Sequence, residues 1–247
     1  MCPTVRRAGN CFNFAFIEYT KASLGTNIVI MATTFVRFQN RTEAGQKLAL
    51  RLADYADENV IVYALPRGGV EVAFEVAKTL NAPLDILTAR KVGHPDFPEY
   101  AIAAVSQNGY VVKNEEAARS VGEEKLNKLV ENAQAEARRR YELYLKDIKV
   151  PKAKGRIAII IDDGLATGLT ARAAIRDLRE RKSEKIVLAV PIAPDVAFGI
   201  MSKEVDEFIC LYPEPNLIAI GLYYEEFSQV SDEKVIKLIR KANQPFQ

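Results

Sequence analysis

The sequence contains little that would assign it to a class at first sight. Its three cysteines, Cys2, Cys11 and Cys210, are odd in number and lack C-x-x-C spacing, which disfavours both a disulfide framework and a zinc site. No apolar run approaches the roughly 18 residues that a membrane span requires. Asn13 and Glu18 interrupt the apolar stretch near the N-terminus, so a cleaved signal peptide is not expected. We therefore expect a cytoplasmic protein with no membrane association.

An excess of charge of one sign is also missing. The chain has 34 lysines and arginines against 32 acidic residues, a formal net charge of +2. Such a balance produces no strong overall field, so we expect no nucleic-acid partner, and any polyanion site must be local. The nucleotide motifs G-x-x-x-x-G-K-[ST] and G-x-G-x-x-G after a strand are absent as well, which argues against those two classes of nucleotide site.

What the chain does have is a regular alternation of short apolar runs and amphipathic stretches. Its 247 residues, 49% of them hydrophobic, suffice for a substantial core. Apolar runs predict strands at 60–65, 84–92, 156–162, 185–192 and 207–212. Helical spacing predicts helices from Asn40 or Thr42, at 70–80, from about residue 169 and from Asp195. Strands that are apolar throughout and alternate with helices are typical of a parallel sheet covered on both faces.

Three further segments complete the organisation. Residues 101–114 read as two short strands around an Asn108-Gly109 turn. Residues 114–147 are highly charged with a narrow apolar stripe, which predicts a long helix or a helix pair; the basic cluster at 138–140 is interpreted as a solvated helix face rather than a phosphate contact. The tail predicts a small flap over the sheet edge and a helix capped by Ser231, with Lys234 at the third helical position.

The stretch "RIAIIIDDGLATGLTARAAIRDL" at 156–178 carries the chemistry. A strand ends in Asp162 and Asp163, and a glycine-bearing turn with Thr167 and Thr170 leads directly into a helix. Ligands of open parallel sheets bind at the carboxyl ends of strands, and a helix N-terminus with successive backbone amides accepts an anion. The turn thus predicts a phosphate cradle, with carboxylates beside it for sugar hydroxyls or hydrated Mg²⁺. A purely structural strand end, with a threonine as helix cap, remains the alternative.

These residues also carry a family resemblance. "IAIIIDDGLATGLTARAAI" closely resembles the phosphoribosyl pyrophosphate (PRPP) binding motif of type I phosphoribosyltransferases. "LPRGG" at 65–69 resembles the pyrophosphate loop of that family, and "RKVGHPDFPEY" at 90–100 resembles the strand end and mobile loop of adenine-type members. The resemblance spans most of 33–240 in matching order.

The fold that the resemblance implies is α/β: a parallel-sheet type I phosphoribosyltransferase fold with helices on both faces, a helical insertion and a small flap, or hood. Residues 1–30 are poorly patterned and are interpreted as an N-terminal extension whose deletion should change stability and activity little. Residues 31–247 are expected to form a single domain, with the charged insertion at about 114–147 and the hood and C-terminal helix at about 213–241. Members of the family are often dimers, so a homodimer is one expectation.

The resemblance implies an enzyme of nucleotide metabolism that transfers phosphoribose from PRPP to a nitrogen acceptor, with Mg²⁺ as cofactor. Asp162 and Asp163 would hold the ribose hydroxyls and, through water, the metal. The remaining candidates fall into three groups. The 5-phosphate loop comprises Gly164, Leu165, Ala166, Thr167, Gly168, Leu169 and Thr170; the pyrophosphate side comprises Pro66, Arg67, Gly68, Gly69, Arg90 and Lys91; the lid candidates are His94 and Glu99. Arg67 is also counted among the catalytic residues.

Two departures leave the acceptor open. Hypoxanthine and guanine members carry an acid where this chain has Ala166, and Tyr223 stands where an acid is expected in the base-covering segment at 217–227. His94 is interpreted as a loop residue, and Glu99 as a weak candidate for the acceptor proton. A non-catalytic PRPP- or nucleotide-binding regulator of the same fold is the alternative function, and hydrolysis or phosphorolysis of a phosphorylated sugar is a third.

Overall fold

A computed structural model describes residues 37–244. Its strands are β1 Val60–Ala64, β2 Leu84–Ile86, β3 Ala89–Gly93, β4 Ala101–Ser106, β5 Val111–Lys113, β6 Ile157–Ile161, β7 Lys185–Ala193 and β8 Glu207–Pro213. Its α-helices are α1 Arg41–Arg51, α2 Gly69–Leu80, α3 Glu115–Arg119, α4 Glu123–Tyr144, α5 Leu169–Glu180, α6 Asp195–Met201 and α7 Asp232–Ala242, with short 3₁₀ helices at Ala53–Tyr55 and Ile220–Tyr223. The interpretation of residues 1–30 as an extension lies outside the described residues.

Five strands form the central sheet, in the order β2-β1-β6-β7-β8 and all parallel. One face packs on α1, α2 and α7, through residues such as Val62 and Ile159. The other face packs on α5 and α6, through residues such as Ile61 and Ile160. The prediction of a parallel sheet covered on both faces is therefore confirmed. The strand order reverses between β1 and β6, and in open sheets the crevice at such a reversal is where ligands bind.

The prediction of one strand at 84–92 is wrong. β2 belongs to the central sheet, whereas β3 begins at Ala89 in a second, antiparallel sheet of order β3-β4-β5. Between them the buried Thr88 hydroxyl donates to Ala137 O of α4 at 2.7 Å, which ties the chain to that helix as it leaves the central sheet. Arg90 and Lys91 explain the break, because neighbouring charged residues do not fit a sheet that is buried on both faces.

The second sheet lies between α5 and the α3–α4 pair. On one face Ala104 and Val112 pack against Leu169 of α5. On the other, Val92 and Ile102 pack with residues of α3 and α4. The expected Asn108-Gly109 turn joins β4 to β5, with Gly109 at φ 89°. This sheet thereby fixes the insertion against the first turn of α5, the helix that follows the Asp162-Asp163 pair.

The helical predictions are confirmed with small differences. Residues 114–147 form a helix pair, and Arg138, Arg139 and Arg140 of its basic cluster pair with Glu136 or Glu142. Asn40, not Thr42, caps α1 by accepting from Glu43 N. Ser231 caps α7 by accepting from Lys234 N at 3.2 Å. None of the helices within residues 37–244 is long and apolar enough to cross a membrane.

Candidate functional site

Two loops meet where the strand order reverses. One follows β1 and contains Gly68 and Gly69; the other follows β6 and contains Asp162 and Asp163. A Cβ on Gly68 would overlap the Asp163 carboxylate, and a Cβ on Gly69 would lie 2.8 Å from Ile161 O. Glycine is therefore required at both positions for this approach. The two motifs that the sequence singled out, some ninety residues apart, lie against each other.

The turn before α5 presents a row of unused amide groups. The backbone N–H groups of residues 166–170 donate to no acceptor within the described part of the chain, while Leu165 N donates to Ile192 O at 2.9 Å and fixes the start of the turn. Gly168, in the left-handed region at φ 72°, begins the helix without a side-chain cap. A threonine cap is thus not how this helix starts. Free amides at a helix N-terminus form a site suited to an anion.

The two carboxylates beside this turn have different surroundings. Asp162 Oδ1 accepts from Asp163 N at 2.9 Å. Burial, and then the neighbouring Asp163 carboxylate, raise the pKa of Asp162 well above its ordinary value. Asp163 Oδ2 instead accepts from Arg41 Nε at 2.8 Å, in an ion pair whose side chains are 7% and 13% exposed. Among the described residues, Asp163 thus has a cation in contact and Asp162 has none.

Arg41 belongs to the site although the sequence reasoning missed it. Its Nη1 donates to Ser228 O at 2.9 Å, and its guanidinium carbon lies 3.8 Å from the centre of the Phe227 ring. Arg41 is the first residue of α1, where a cation is unfavourable beside the positive end of the helix dipole. That unfavourable position was the one signal in the sequence that Arg41 has an acid partner elsewhere.

The hood segment around residues 220–224 packs against the loop that carries the aspartate pair. Tyr224 Oη donates to Asp163 O at 2.6 Å, and Ile220 packs so closely on Gly164 that a Cβ there would lie 2.7 Å from Ile220 Cγ2. Tyr223 is buried, and desolvation followed by its hydrogen bond to Glu214 raises its pKa to about 12. The residue that replaces the expected acid is therefore part of the hood core.

The three cations predicted for the pyrophosphate side, Arg67, Arg90 and Lys91, lie in different surroundings. Arg67 Nη1 lies 3.7 Å from Asp232 Oδ1, at the start of α7. The sequence predicted that Arg90 and Lys91 end a central strand, but they lie inside β3 of the second sheet. Arg90 lies 3.9 Å from Glu136 of α4. Because side chains alternate along a strand, Lys91 shares the face of Ala89, which packs toward α5, so Lys91 lies on the side of the amide turn.

The lid candidates form a compact turn after β3. His94 N donates to Tyr100 O, and Tyr100 N donates to Phe97 O, at 2.8 and 2.9 Å. The His94 ring accepts from Asp96 N at 3.2 Å and lies 3.3 Å from Ser120 Oγ. These contacts give His94 an anchoring position, while Glu99 is exposed.

Comparison with known proteins agrees with this geometry. A family described as phosphoribosyl transferase domain matches residues 33–211. The chain belongs to that family. It is 42% identical over 211 residues to two Mycobacterium tuberculosis proteins with a provisional phosphoribosyl transferase designation, a match that covers 85% of this chain and 48% of each relative. The chain thus spans about half the length of the curated relatives it matches.

A solved structure is similar to this chain along most of its length. The crystal structure of TT1426 from Thermus thermophilus is 35% identical, with a TM-score of 0.71, and the match covers 84% of this chain and 100% of that one. The type I phosphoribosyltransferase fold, with a central parallel sheet flanked by helices, is therefore the fold of this chain.

The carboxylates of this phosphoribosyl transferase domain fit a Mg²⁺ ion that is held partly by protein and partly by substrate. The described residues contain no group of three or more histidine, cysteine or acidic side chains that would hold a metal by themselves. Mg²⁺, however, is commonly held by one or two carboxylates together with water and substrate phosphates. Asp162 and Asp163 supply that minimum, with Asp163 already sharing one oxygen with Arg41.

Proposed function

We propose that this chain transfers the 5-phosphoribosyl group from PRPP to a nitrogen acceptor, most simply a nucleobase, and releases pyrophosphate. The observation that carries the proposal is the row of free amides at 166–170 directly after the Asp162-Asp163 pair. One arrangement thereby offers donors for a phosphate and acceptors for sugar hydroxyls. Family membership supports the same reaction.

The proposed chemistry needs charges in fixed positions more than a covalent intermediate. The C1–O bond to pyrophosphate breaks with its electron pair remaining on pyrophosphate, the acceptor nitrogen forms the new C1–N bond, and the proton of that nitrogen is released. Positive charge grows on the ribose and negative charge on the leaving group in the transition state. Preorganised dipoles and charges on both sides therefore lower the barrier.

Each group of residues has a proposed part. The amides at 166–170 hold the 5-phosphate, and Asp162 and Asp163 bind the ribose hydroxyls. Mg²⁺, when bound near the two aspartates, would neutralise charge on the pyrophosphate. The amides of Arg67, Gly68 and Gly69, which donate to no acceptor within residues 37–244, face the leaving group. We also assign Lys91, whose face of β3 packs toward α5, to the leaving group.

Few ionisable side chains are placed to take the proton that the acceptor nitrogen releases. Ala166 has no ionisable group, and the Tyr223 hydroxyl is committed to the hood core. We therefore assign the released proton to Glu99 or to water. A Glu99→Gln variant that keeps full turnover leaves water as the proton acceptor.

A second candidate function has its own observation. Asp163 is already paired with Arg41, and Ala166 stands where hypoxanthine and guanine members carry an acid. A regulator that binds PRPP or a nucleotide without turnover is compatible with both features.

One assay separates these functions. Pyrophosphate release from PRPP and Mg²⁺ is measured with each common nucleobase and with none, and PRPP binding is measured by calorimetry. Acceptor-dependent release supports the transferase, acceptor-independent release supports hydrolysis, and binding without release supports the regulator. Absence of PRPP binding refutes the proposal.

A matched pair of variants tests the residues. Asp162→Asn should abolish turnover while circular dichroism and thermal unfolding stay close to wild type. Asp57→Asn, at an exposed turn position, should change neither. Full activity in Asp162→Asn contradicts the assigned role of that carboxylate.

A further inference from the structure

A second concave surface lies near the amino end of β2, away from the carboxyl strand ends that carry the proposed PRPP site. It is a groove of about 460 Å³ between the C-terminal ends of α2 and α7 and the segment that follows α4. Pro83, which lines it, precedes the amino end of β2, whereas the PRPP loops follow the carboxyl ends of β1 and β6. Its lining comprises Phe74, Ala77, Lys78, Asn81, Ala82, Pro83, Lys149, Pro151, Lys241, Ala242, Asn243 and Gln244. We call it the lysine groove.

The charge of the lysine groove has one sign. Lys78, Lys149 and Lys241 line it, and none of its lining residues is acidic. No carboxylate of residues 37–244 lies within ion-pair distance of these three ammonium groups. Three like charges around one concavity repel each other, and an anion bound between them relieves that repulsion.

Helix dipoles explain the positions of only two of the three lysines. Lys78 and Lys241 stand in the last turns of α2 and α7, where a cation is favourable beside the negative end of the helix. Lys149 lies in the segment between α4 and β6, outside any helix. Its place beside the other two lysines therefore calls for a different explanation.

The floor of the groove is apolar and its wall is fixed. Phe74 and Ala77 form part of the floor, and the Lys241 ammonium lies 5.3 Å from the centre of the Phe74 ring. Asn243 donates to Leu84 O at 2.7 Å and to Ile239 O at 2.9 Å, and accepts from Leu84 N at 3.3 Å. These bonds fasten the end of α7 to β2, so the groove needs little rearrangement to accept a ligand.

We propose that the lysine groove is a second ligand site, for a small phosphorylated molecule with an apolar or aromatic ring. The ring rests on the floor around Phe74, and the phosphate lies between the three ammonium groups. The volume falls within the range of about 300–1,000 Å³ that small-molecule sites occupy. This inference does not depend on the transferase activity.

The test uses adenosine 5′-monophosphate and inorganic phosphate as probes, titrated by calorimetry without Mg²⁺ at low salt. The variant under test is the triple Lys78→Gln, Lys149→Gln, Lys241→Gln. The matched control replaces three exposed lysines elsewhere, Lys113→Gln, Lys125→Gln and Lys128→Gln. All six positions are exposed, so both variants should fold, which thermal unfolding verifies.

We expect wild type and the control to show one more nucleotide site than the groove variant. Binding at the PRPP loops is unaffected by the substitutions, so it stays in all three proteins. Lys149→Gln alone should weaken the extra site by roughly 10-fold, and inorganic phosphate, which lacks a ring, should bind there more weakly than the nucleotide. Equal site numbers in the groove variant and wild type, or an equal loss in the control, overturn the proposal. Equal affinity of the two probes contradicts the part assigned to the ring.

Discussion

The ion pair between Arg41 and Asp163 should be the most sensitive point of the site, and Arg41→Met tests it. Methionine keeps much of the length of arginine but removes the charge. The substitution leaves the Asp163 carboxylate beside Asp162 with no cation partner. Removal of one member of a buried pair typically lowers the free energy of unfolding by about 3–5 kcal/mol. The low exposure of both side chains, 7% and 13%, places this pair in that class.

We therefore expect Arg41→Met to lower the free energy of unfolding by about 3 kcal/mol at pH 7, at the lower end of that range.

Urea denaturation of four proteins at pH 7 measures this effect: wild type, Arg41→Met, Asp163→Asn and the double variant. The double-mutant cycle should give a coupling energy of at least about 2 kcal/mol at pH 7. Arg51→Met, in the exposed last turn of the same helix, is the control and should cost less than about 0.5 kcal/mol. A coupling energy below about 0.5 kcal/mol, or a loss in Arg41→Met no larger than that in Arg51→Met, refutes the reasoning.

Three further outcomes are expected. Burial raises the pKa of Asp85 to about 6 from 3.8, so the folded state loses up to about 3 kcal/mol of stability as pH rises through that interval. Asp85→Asn should therefore stabilise the protein at pH 8 and not at pH 4. Equal effects at the two pH values in urea unfolding would contradict this. Because the pKa of Asp162 is raised and the cation needs its charged form, calorimetric affinity for PRPP with Mg²⁺ should fall as pH is lowered; an affinity independent of pH argues against Asp162 near the metal. Gly168→Ala places a Cβ against Met201 at φ 72° and should weaken PRPP binding by roughly 10-fold or more. Gly155→Ala, at φ 69° in open space, is the control: it carries the same backbone strain and should leave PRPP affinity unchanged.

Much of the fold followed from local patterns in the sequence. The run 157–161 is apolar at every position and became a central strand, and the Asn108-Gly109 pair became the turn of the β4–β5 hairpin. Ser231 capped α7 as expected. These features depend on the period of apolar residues and on the chemistry of single turns, which neighbouring residues determine. The amide turn before α5 was visible for the same reason.

Contacts between distant segments were decided only by the tertiary structure. Arg41 and Asp163 are 122 positions apart, and nothing in either neighbourhood specifies the other. The path of the chain after it leaves β2 likewise depends on Thr88 reaching Ala137 on α4, a contact that no local pattern encodes. The sequence by itself determined the strand and helix pattern and the composition of the phosphate turn. Which carboxylate is neutralised, which cation lies on the side of the turn and what covers the site were determined by packing, because they require segments that meet only in the folded chain.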